Sequence, residues 1–150
     1  VHAIADQVDP VTRAHFERQD FEVQTKPDLT PVTDADRQAE RMIRESLSRA
    51  RARDCVLGEE FGRTGRSPRQ WVIDPIDGTK NFVRGVPVWA TLIGLVEDGE
   101  VVVGLVSAPA LGRRWWVVVG GGVWTGYFLS ASRRLRVSSV SGLEDASLFR

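Results

Sequence analysis

Two carboxylates, a glycine and a hydroxyl follow one another closely in residues 71–82, whose sequence is WVIDPIDGTKNF. Asp74 and Asp77 lie three residues apart on the turn that follows an apolar run, and carboxylate oxygens suit hard cations such as Mg²⁺. Gly78 lets the backbone come close to whatever these carboxylates hold. If a short helix begins at Thr79, the N–H groups of Gly78 and Thr79 form an anion site beside the metal. A metal next to an anion site indicates phosphate-ester chemistry.

The same spacing is also typical of an ordinary capped turn, because Asp-Pro and Asp-Gly are common turn pairs. The spacing alone leaves both interpretations open. Glu59 and Glu60 follow a short apolar run and Gly58, and by themselves they are best explained as a solvated acidic pair. Asp36 is explained locally by helix capping.

Two helices are predicted ahead of this stretch. Residues 1–16 carry apolar side chains at helical spacing, with a break or kink expected at Asp9-Pro10. Residues 33–53 form the clearest helix, with Thr33 as N-cap and Asp36 completing a capping box. The apolar stripe of this second helix consists of Ala39, Met42, Ile43, Leu47 and Ala50.

Short β-rich runs predict a sheet. We expect strands at residues 21–25, 55–57, 71–73, 90–96, 100–107, 115–119 and 134–138. Pro75 should end the central strand because proline has no N–H to donate, and Asp98-Gly99 predicts a two-residue hairpin. Residues 26–33 and 63–69 are expected to be loops, and 120–122 a turn. The fold class is therefore α+β, one domain over residues 1–150 with two N-terminal helices packed on one face of a mainly antiparallel sheet.

Composition narrows the functional classes. Twenty basic and twenty acidic residues cancel, which argues against nucleic acid or an acidic membrane surface as a partner. A single cysteine, Cys55, fits a reducing compartment. No apolar run approaches the roughly 18 residues of a membrane span, and the first residues lack the basic region of a signal peptide. We expect a cytoplasmic protein.

The string Asp-Pro-Ile-Asp-Gly-Thr at positions 74–79 resembles the signature of the inositol-monophosphatase family, Mg²⁺-dependent phosphatases of small phosphorylated metabolites. The resemblance implies that this chain forms the first half of the sugar-phosphatase (αβαβα) fold. It also implies a site for two or three Mg²⁺ ions. The implied metal ligands are the carboxylates of Glu59, Asp74 and Asp77 and the backbone carbonyl of Ile76.

The resemblance also implies roles around the metal. Gly78 and Thr79 match the residues whose backbone N–H groups hold phosphate, and the segment VTDAD at 32–36 makes Asp36 the hydrogen-bond partner of Thr79. Lys26 falls where the family carries a lysine near the metals. The implied mechanism is a metal-assisted hydrolysis without a covalent intermediate, in which Thr79, Asp36 and Glu59 orient and deprotonate the attacking water.

Longer strings narrow the resemblance. Residues 77–89 (DGTKNFVRGVPVW) and 107–116 (SAPALGRRWW) resemble the branch of this family that hydrolyses L-histidinol phosphate in actinobacterial histidine biosynthesis. Inositol monophosphatase, or a related sugar or nucleotide phosphatase, is the alternative.

Family members continue into a second α/β segment with a Trp-Asp-x-Ala motif, and this sequence contains no Trp-Asp pair. We therefore expect the amino-terminal portion of such an enzyme, with another strand beginning at 147–149. A non-catalytic remnant that binds Mg²⁺ and phosphate weakly, or pairs with another chain through an uncovered sheet surface, is the alternative. A homodimer is compatible with either.

Overall fold

Three α-helices and ten strands make up the described part of the chain, which in this computed structural model comprises residues 1–27, 29–127 and 131–147. None of these helices is long and apolar enough to cross a membrane. In chain order the elements are α1 (His2–Arg18), β1 (Val23–Thr25), β2 (Pro31–Thr33), α2 (Asp34–Ala50), β3 (Cys55–Gly58), β4 (Gly62–Thr64), β5 (Arg69–Asp77), α3 (Thr79–Val83), β6 (Ala90–Glu97), β7 (Glu100–Ala108), β8 (Arg113–Val118), β9 (Gly122–Gly126) and β10 (Arg133–Leu135), with 3₁₀ turns at Pro109–Leu111 and Leu143–Asp145.

Eight strands form one sheet in the order β10-β9-β8-β7-β6-β5-β3-β4, and β1 pairs with β2 separately. Every neighbouring pair is antiparallel except β3 and β5, which are parallel. The predicted α+β class with a mainly antiparallel sheet is confirmed. Because β3 and β5 are parallel neighbours, their carboxyl ends lie at the same edge of the sheet. The residues that follow both strands therefore meet there.

The two long helices bury their apolar stripes against one face of this sheet. Ala39, Ile43 and Leu47 of α2 are buried, whereas Met42 is half-buried and Ala50 is exposed. Burying a side chain the size of Ile43 or Leu47 contributes about 1.5–3 kcal/mol to the stability of the fold. The cluster under the helices comprises Val8, Ala39, Ile43, Leu47, Trp71, Ile73, Ile93 and Leu95.

A second buried cluster lies under α3. Phe82 is fully buried, and its ring meets that of Trp89 edge-on at a centroid distance of 4.9 Å. Ala35, Ile76 and Phe16 pack against the same group. This cluster fixes the end of β5 and the start of α3, and thereby the backbone of the motif.

Both predicted helices are present, although α2 ends at Ala50 instead of residue 53 and Ala50 is exposed instead of buried. Helix α1 continues through Pro10 to Arg18, so the predicted break is wrong. The preceding Asp9 is anchored from the sheet, where the Nη2 of Arg114 and the Oγ of Ser107 donate to its Oδ2 at 2.6 and 2.7 Å. These tertiary contacts anchor the residue directly before the proline.

Three predictions about strands and loops are wrong. The expected loops at 26–33 and 63–69 contain the short strands β2 and β4, and β5 continues past Pro75 to Asp77. The pairing with β6 is irregular between Asp74 and Asp77, because proline cannot donate to the ladder. There the Oγ1 of Thr91 donates instead to the carbonyl of Pro75 at 2.8 Å. The strand expected to begin at 147–149 falls on residues that lie largely outside the described part.

The other face of the sheet carries an apolar groove of about 510 Å³. Side chains on successive strand residues point to opposite faces, so Val72 lines this groove while its neighbours Trp71 and Ile73 are buried under the helices. Trp115 lines the groove as well, whereas the ring of Trp116 meets that of His2 of α1 edge-on at a centroid distance of 4.7 Å. Asp74 lines the groove too, so the groove reaches the Asp-Pro-Ile-Asp-Gly-Thr motif.

Candidate active site

The motif residues surround a cavity of about 280 Å³ where β5 ends and α3 begins. Its walls come from the strand end, the helix start, the turn after β3 and the loop before β2. The residues that line it are Thr30, Pro31, Glu59, Asp74, Ile76, Asp77, Gly78, Thr79 and Lys80. Six of the eight sequence-predicted site residues therefore share one cavity, and Asp36 and Lys26 contact it from behind.

Gly78 forms the junction between strand and helix. Its φ of 90° lies in the left-handed region, and a Cβ there would stand 3.1 Å from the carbonyl oxygen of Val88, so a side chain is excluded on two grounds. Its carbonyl accepts the amides of Asn81 and Phe82 at 2.8 and 3.1 Å, which begins α3 at Thr79. The predicted short helix is present, and Gly78, Thr79 and Lys80 at its start all line the cavity.

Asp36 and Thr79 lie within hydrogen-bonding distance of each other. The Oγ1 of Thr79 lies 3.3 Å from the Oδ1 of Asp36 and 3.0 Å from the carbonyl oxygen of Ile76, and it can donate to either. Asp36 also accepts the backbone N–H of Thr33 at 2.8 Å, so it serves the helix cap as well. Burial raises the pKa of Asp36. Its carboxylate therefore stands behind the threonine hydroxyl, at the back of the cavity.

Asp74 is the most perturbed group of the site. Its Oδ1 is buried without a hydrogen-bond partner. Burial raises the pKa of Asp74 to about 8, with further contributions from the charge of Glu59, a hydrogen bond shared with Glu59, and the charges of Asp77 and Asp36. Asp74 therefore keeps its proton at neutral pH, because its burial and the neighbouring carboxylates oppose a further negative charge.

Glu59 is held on the other side of the cavity by Lys26. The Nζ of Lys26 donates to Glu59 Oε1 at 2.6 Å and to Glu60 Oε1 at 2.7 Å. Although burial opposes it, these two hydrogen bonds raise the pKa of Lys26, so the side chain is a permanent cation. The ammonium group satisfies the carboxylate that the sequence resemblance assigns to a metal.

The donors suit a hard cation, although they are not gathered around one point. Among residues 1–27, 29–127 and 131–147, no group of three or more Asp, Glu, His or Cys side chains is placed to hold a metal ion. Glu59 faces Lys26 instead, and the carbonyl of Ile76 receives the Thr79 hydroxyl. The unpaired Oδ1 of Asp74 and the all-oxygen donor set nevertheless fit Mg²⁺, which takes one or two carboxylates and keeps several waters.

Sequence reasoning missed Glu40 and Arg44, which lie on α2 behind the turn that carries Glu59. The carboxylate of Glu40 accepts the backbone N–H of Glu60 at 2.6 Å, and Arg44 pairs with it at 2.8 Å. The only signal in the sequence is the i, i+4 spacing of a glutamate and an arginine. That spacing is common on exposed helix faces, whereas Glu40 is fully buried.

Carboxylates, the start of a short helix and a threonine hydroxyl thus meet around one cavity at the edge of the sheet. The chain belongs to the inositol monophosphatase family, whose profile matches residues 2–150. The match covers both long helices, the sheet and the motif.

Named relatives agree with this family. A histidinol-phosphatase of Streptomyces coelicolor is 61% identical over 97% of this chain and 56% of its own length. A histidinol-phosphatase of Mycobacterium tuberculosis is 58% identical, with the same two shares. The solved structure of a Thermotoga maritima IMPase superposes with a TM-score of 0.82 at 36% identity, over 92% of this chain and 52% of that one. The chain thus spans just over half the length of these relatives.

Proposed function

We propose that this chain carries the metal- and phosphate-binding part of a Mg²⁺-dependent phosphomonoesterase that converts L-histidinol phosphate to L-histidinol. The observation that carries the proposal is the cavity in which Glu59, Asp77 and the unpaired Oδ1 of Asp74 lie beside the Thr79 hydroxyl. Buried, mutually repelling carboxylates are what a site for a divalent cation requires in its metal-free form.

Glu59, Asp74 and the carbonyl of Ile76 would hold one Mg²⁺, and Asp74 with Asp77 would hold a second. Bound Mg²⁺ lowers the pKa of a coordinated water and offsets charge on the phosphate. When no metal is present, Lys26 pairs with both Glu59 and Glu60 and offsets part of their negative charge. Its flexible four-carbon stem allows the ammonium to withdraw when Glu59 turns towards the cavity.

The protein groups supply orientation and proton transfer. With the carbonyl of Ile76 engaged as a metal ligand, the Thr79 hydroxyl would donate its hydrogen bond to the Oδ1 of Asp36, 3.3 Å away, and the lone pairs of Thr79 would be left to accept from the attacking water. Glu59 draws off the proton of that water as the second acceptor. The N–H groups of Gly78 and Thr79 hold the phosphate oxygens, because the first N–H groups of a helix have no partner within it.

The choice of histidinol phosphate rests on the relatives and on two strings of sequence. The relatives at 61% and 58% identity are both named histidinol-phosphatases. Residues 77–89 and 107–116 resemble the same branch of the family. Inositol 1-phosphate is the alternative substrate within this family.

The test is Mg²⁺-dependent phosphate release from histidinol phosphate, with inositol 1-phosphate and fructose 1,6-bisphosphate alongside. The wild-type chain should prefer histidinol phosphate, and Asp77→Asn should abolish turnover. Asp98→Asn is the matched control, because Asp98 lies in the β6–β7 turn with a φ of 50° that asparagine also adopts. Asp77→Asn releasing phosphate as fast as the wild type would refute the proposal, and a folded wild-type chain that neither binds Mg²⁺ nor turns over any of the three substrates would refute it as well.

A further inference from the structure

Glu40 is a charged side chain fully buried in α2 that contacts the turn after β3. Its Oε2 accepts the backbone N–H of Glu60 at 2.6 Å, and its Oε1 accepts that of Phe61 at 3.1 Å. The Nε of Arg44, one helical turn further along, donates to the same Oε1 at 2.8 Å. All three bonds are charge-assisted, and the two from backbone amides fix the chain immediately after Glu59.

Gly58 provides the space for this carboxylate. A Cβ on Gly58 would stand 2.0 Å from Glu40 Oε1 and 2.4 Å from Glu40 Cδ. The φ of Gly58 is not positive, so the glycine is needed for the close approach of Glu40 and not for an unusual backbone conformation. The buried position of the Glu40 carboxylate therefore depends on the absence of a side chain at Gly58.

Arg44 connects α2 to β4, the strand that pairs with β3. Its Nη1 donates to Thr64 Oγ1 at 2.7 Å and its Nη2 donates to the carbonyl of Gly62. On the opposite side, the N–H of Glu59 donates to the carbonyl of Ile73 at 3.3 Å. The backbone that bears Glu59 is thus held from α2 on one side and from β5 on the other.

We propose that Glu40 is a positioning residue that sets the location of Glu59 relative to Asp74. This inference rests on the proposed function, in which Glu59 and Asp74 hold the same Mg²⁺. A buried ion pair such as Glu40–Arg44 is a weak source of stability, because desolvation offsets most of its attraction. Hydrogen-bonded groups behind a metal ligand, by contrast, typically control metal affinity by about 10–100-fold. The burial of Glu40 is therefore explained by its effect on the position of Glu59, a proposed metal ligand, and not by its contribution to stability.

The test compares Glu40→Gln with Asp9→Asn in the whole chain. Asp9 is also buried on a helix and paired with an arginine, but it contacts no part of the cavity. Calorimetric titration with Mg²⁺ alone should show about 10–100-fold weaker binding for Glu40→Gln and unchanged binding for Asp9→Asn. In ¹⁵N-edited NMR spectra, the amide protons of Glu60 and Phe61 should move upfield only in Glu40→Gln, since they lose a carboxylate acceptor.

Gly58→Ala provides a second route if Glu40→Gln does not fold. The added methyl group displaces the carboxylate of Glu40 without removing its charge, and should weaken Mg²⁺ binding in the same way. A folded Glu40→Gln or Gly58→Ala variant that binds Mg²⁺ like the wild type would overturn the inference alone. So would a loss in Asp9→Asn as large as that in Glu40→Gln. A wild-type chain that binds no Mg²⁺ would instead overturn the proposed function.

Discussion

Replacing Asp74 by asparagine should make the metal-free protein more stable near neutral pH and remove its response to Mg²⁺. Asp74 is the group on which burial and neighbouring carboxylates act most strongly, and its pKa is about 8 instead of 3.8. Because the folded-state pKa is raised, the carboxyl costs no stability below pH 3.8, and the cost grows as the pH rises to about 8. Asparagine is nearly isosteric and carries no charge to desolvate.

The size of the effect follows from the two pKa values. At about 1.4 kcal/mol per pKa unit, the raised pKa lowers the free energy of unfolding at pH 7 by about 4 kcal/mol, because the carboxyl ionises in the unfolded chain and keeps its proton in the folded one. The carboxyl is only partly buried, so solvent screening reduces this to about 2 kcal/mol. Asp74→Asn should therefore raise the free energy of unfolding by about 2 kcal/mol at pH 7 and change it little at pH 4.

Urea unfolding at both pH values, with and without Mg²⁺, measures this directly. A ligand that binds only the folded state stabilises it by RT ln(1 + [L]/Kd), so Mg²⁺ should stabilise the wild type and leave Asp74→Asn unchanged. The reasoning would be refuted by a variant that is less stable than the wild type at pH 7. It would also be refuted by a variant that Mg²⁺ still stabilises.

Three further predictions concern the buried Asp9–Arg114 pair, the threonine that orients the attacking water, and the pH dependence of Mg²⁺ binding. Arg114→Ala should lower the free energy of unfolding by about 3–5 kcal/mol in urea, because it leaves the buried Asp9 without its cation; a loss below about 1 kcal/mol would contradict this. Thr79→Val should reduce the rate of phosphate release by at least about 100-fold. Thr79→Ser keeps the hydroxyl near Asp36 and should retain most of that rate. Equal rates of phosphate release in the two variants would argue against the role assigned to Thr79. The Mg²⁺ association constant should rise by up to about tenfold per pH unit and level off near pH 8, since Asp74 must lose its proton; titrations at several pH values that gave a constant affinity would contradict this.

The sequence predicted most of the fold because its patterns were local. The stripe at Ala39, Ile43 and Leu47 marked the buried face of α2, and Thr33 with Asp36 marked its first turn. Asp98-Gly99 marked the β6–β7 hairpin, and both residues have the positive φ that such a turn needs.

The errors arose where contacts distant in sequence override a local rule. Pro10 lies inside α1 because Arg114, more than 100 residues away, holds the preceding Asp9. Pro75 lies inside β5 because the pairing of β5 with β6 is interrupted after Asp74 and resumes at Asp77. Neither arrangement can be derived from local propensity, which explains why Pro10 was expected to break or kink its helix and Pro75 to end its strand.

In the candidate site, too, the local features were predictable from the sequence and the contacts between distant segments were not. The motif placed Asp74, Asp77, Gly78 and Thr79 in one turn, and these residues do line one cavity. The hydrogen bonds of Glu40 to the turn after Gly58 depend on the packing of α2 against the hairpin, which no short string records.

The most direct test of the central claim is the position of a bound metal. Crystals of the chain soaked in Mn²⁺, a substitute for Mg²⁺ that scatters anomalously, should show a peak bounded by the carboxylates of Glu59 and Asp74 and the carbonyl of Ile76, with the Nζ of Lys26 displaced from Glu59. A soaked crystal with no peak in this cavity, or with its strongest peak elsewhere on the protein, would contradict the account.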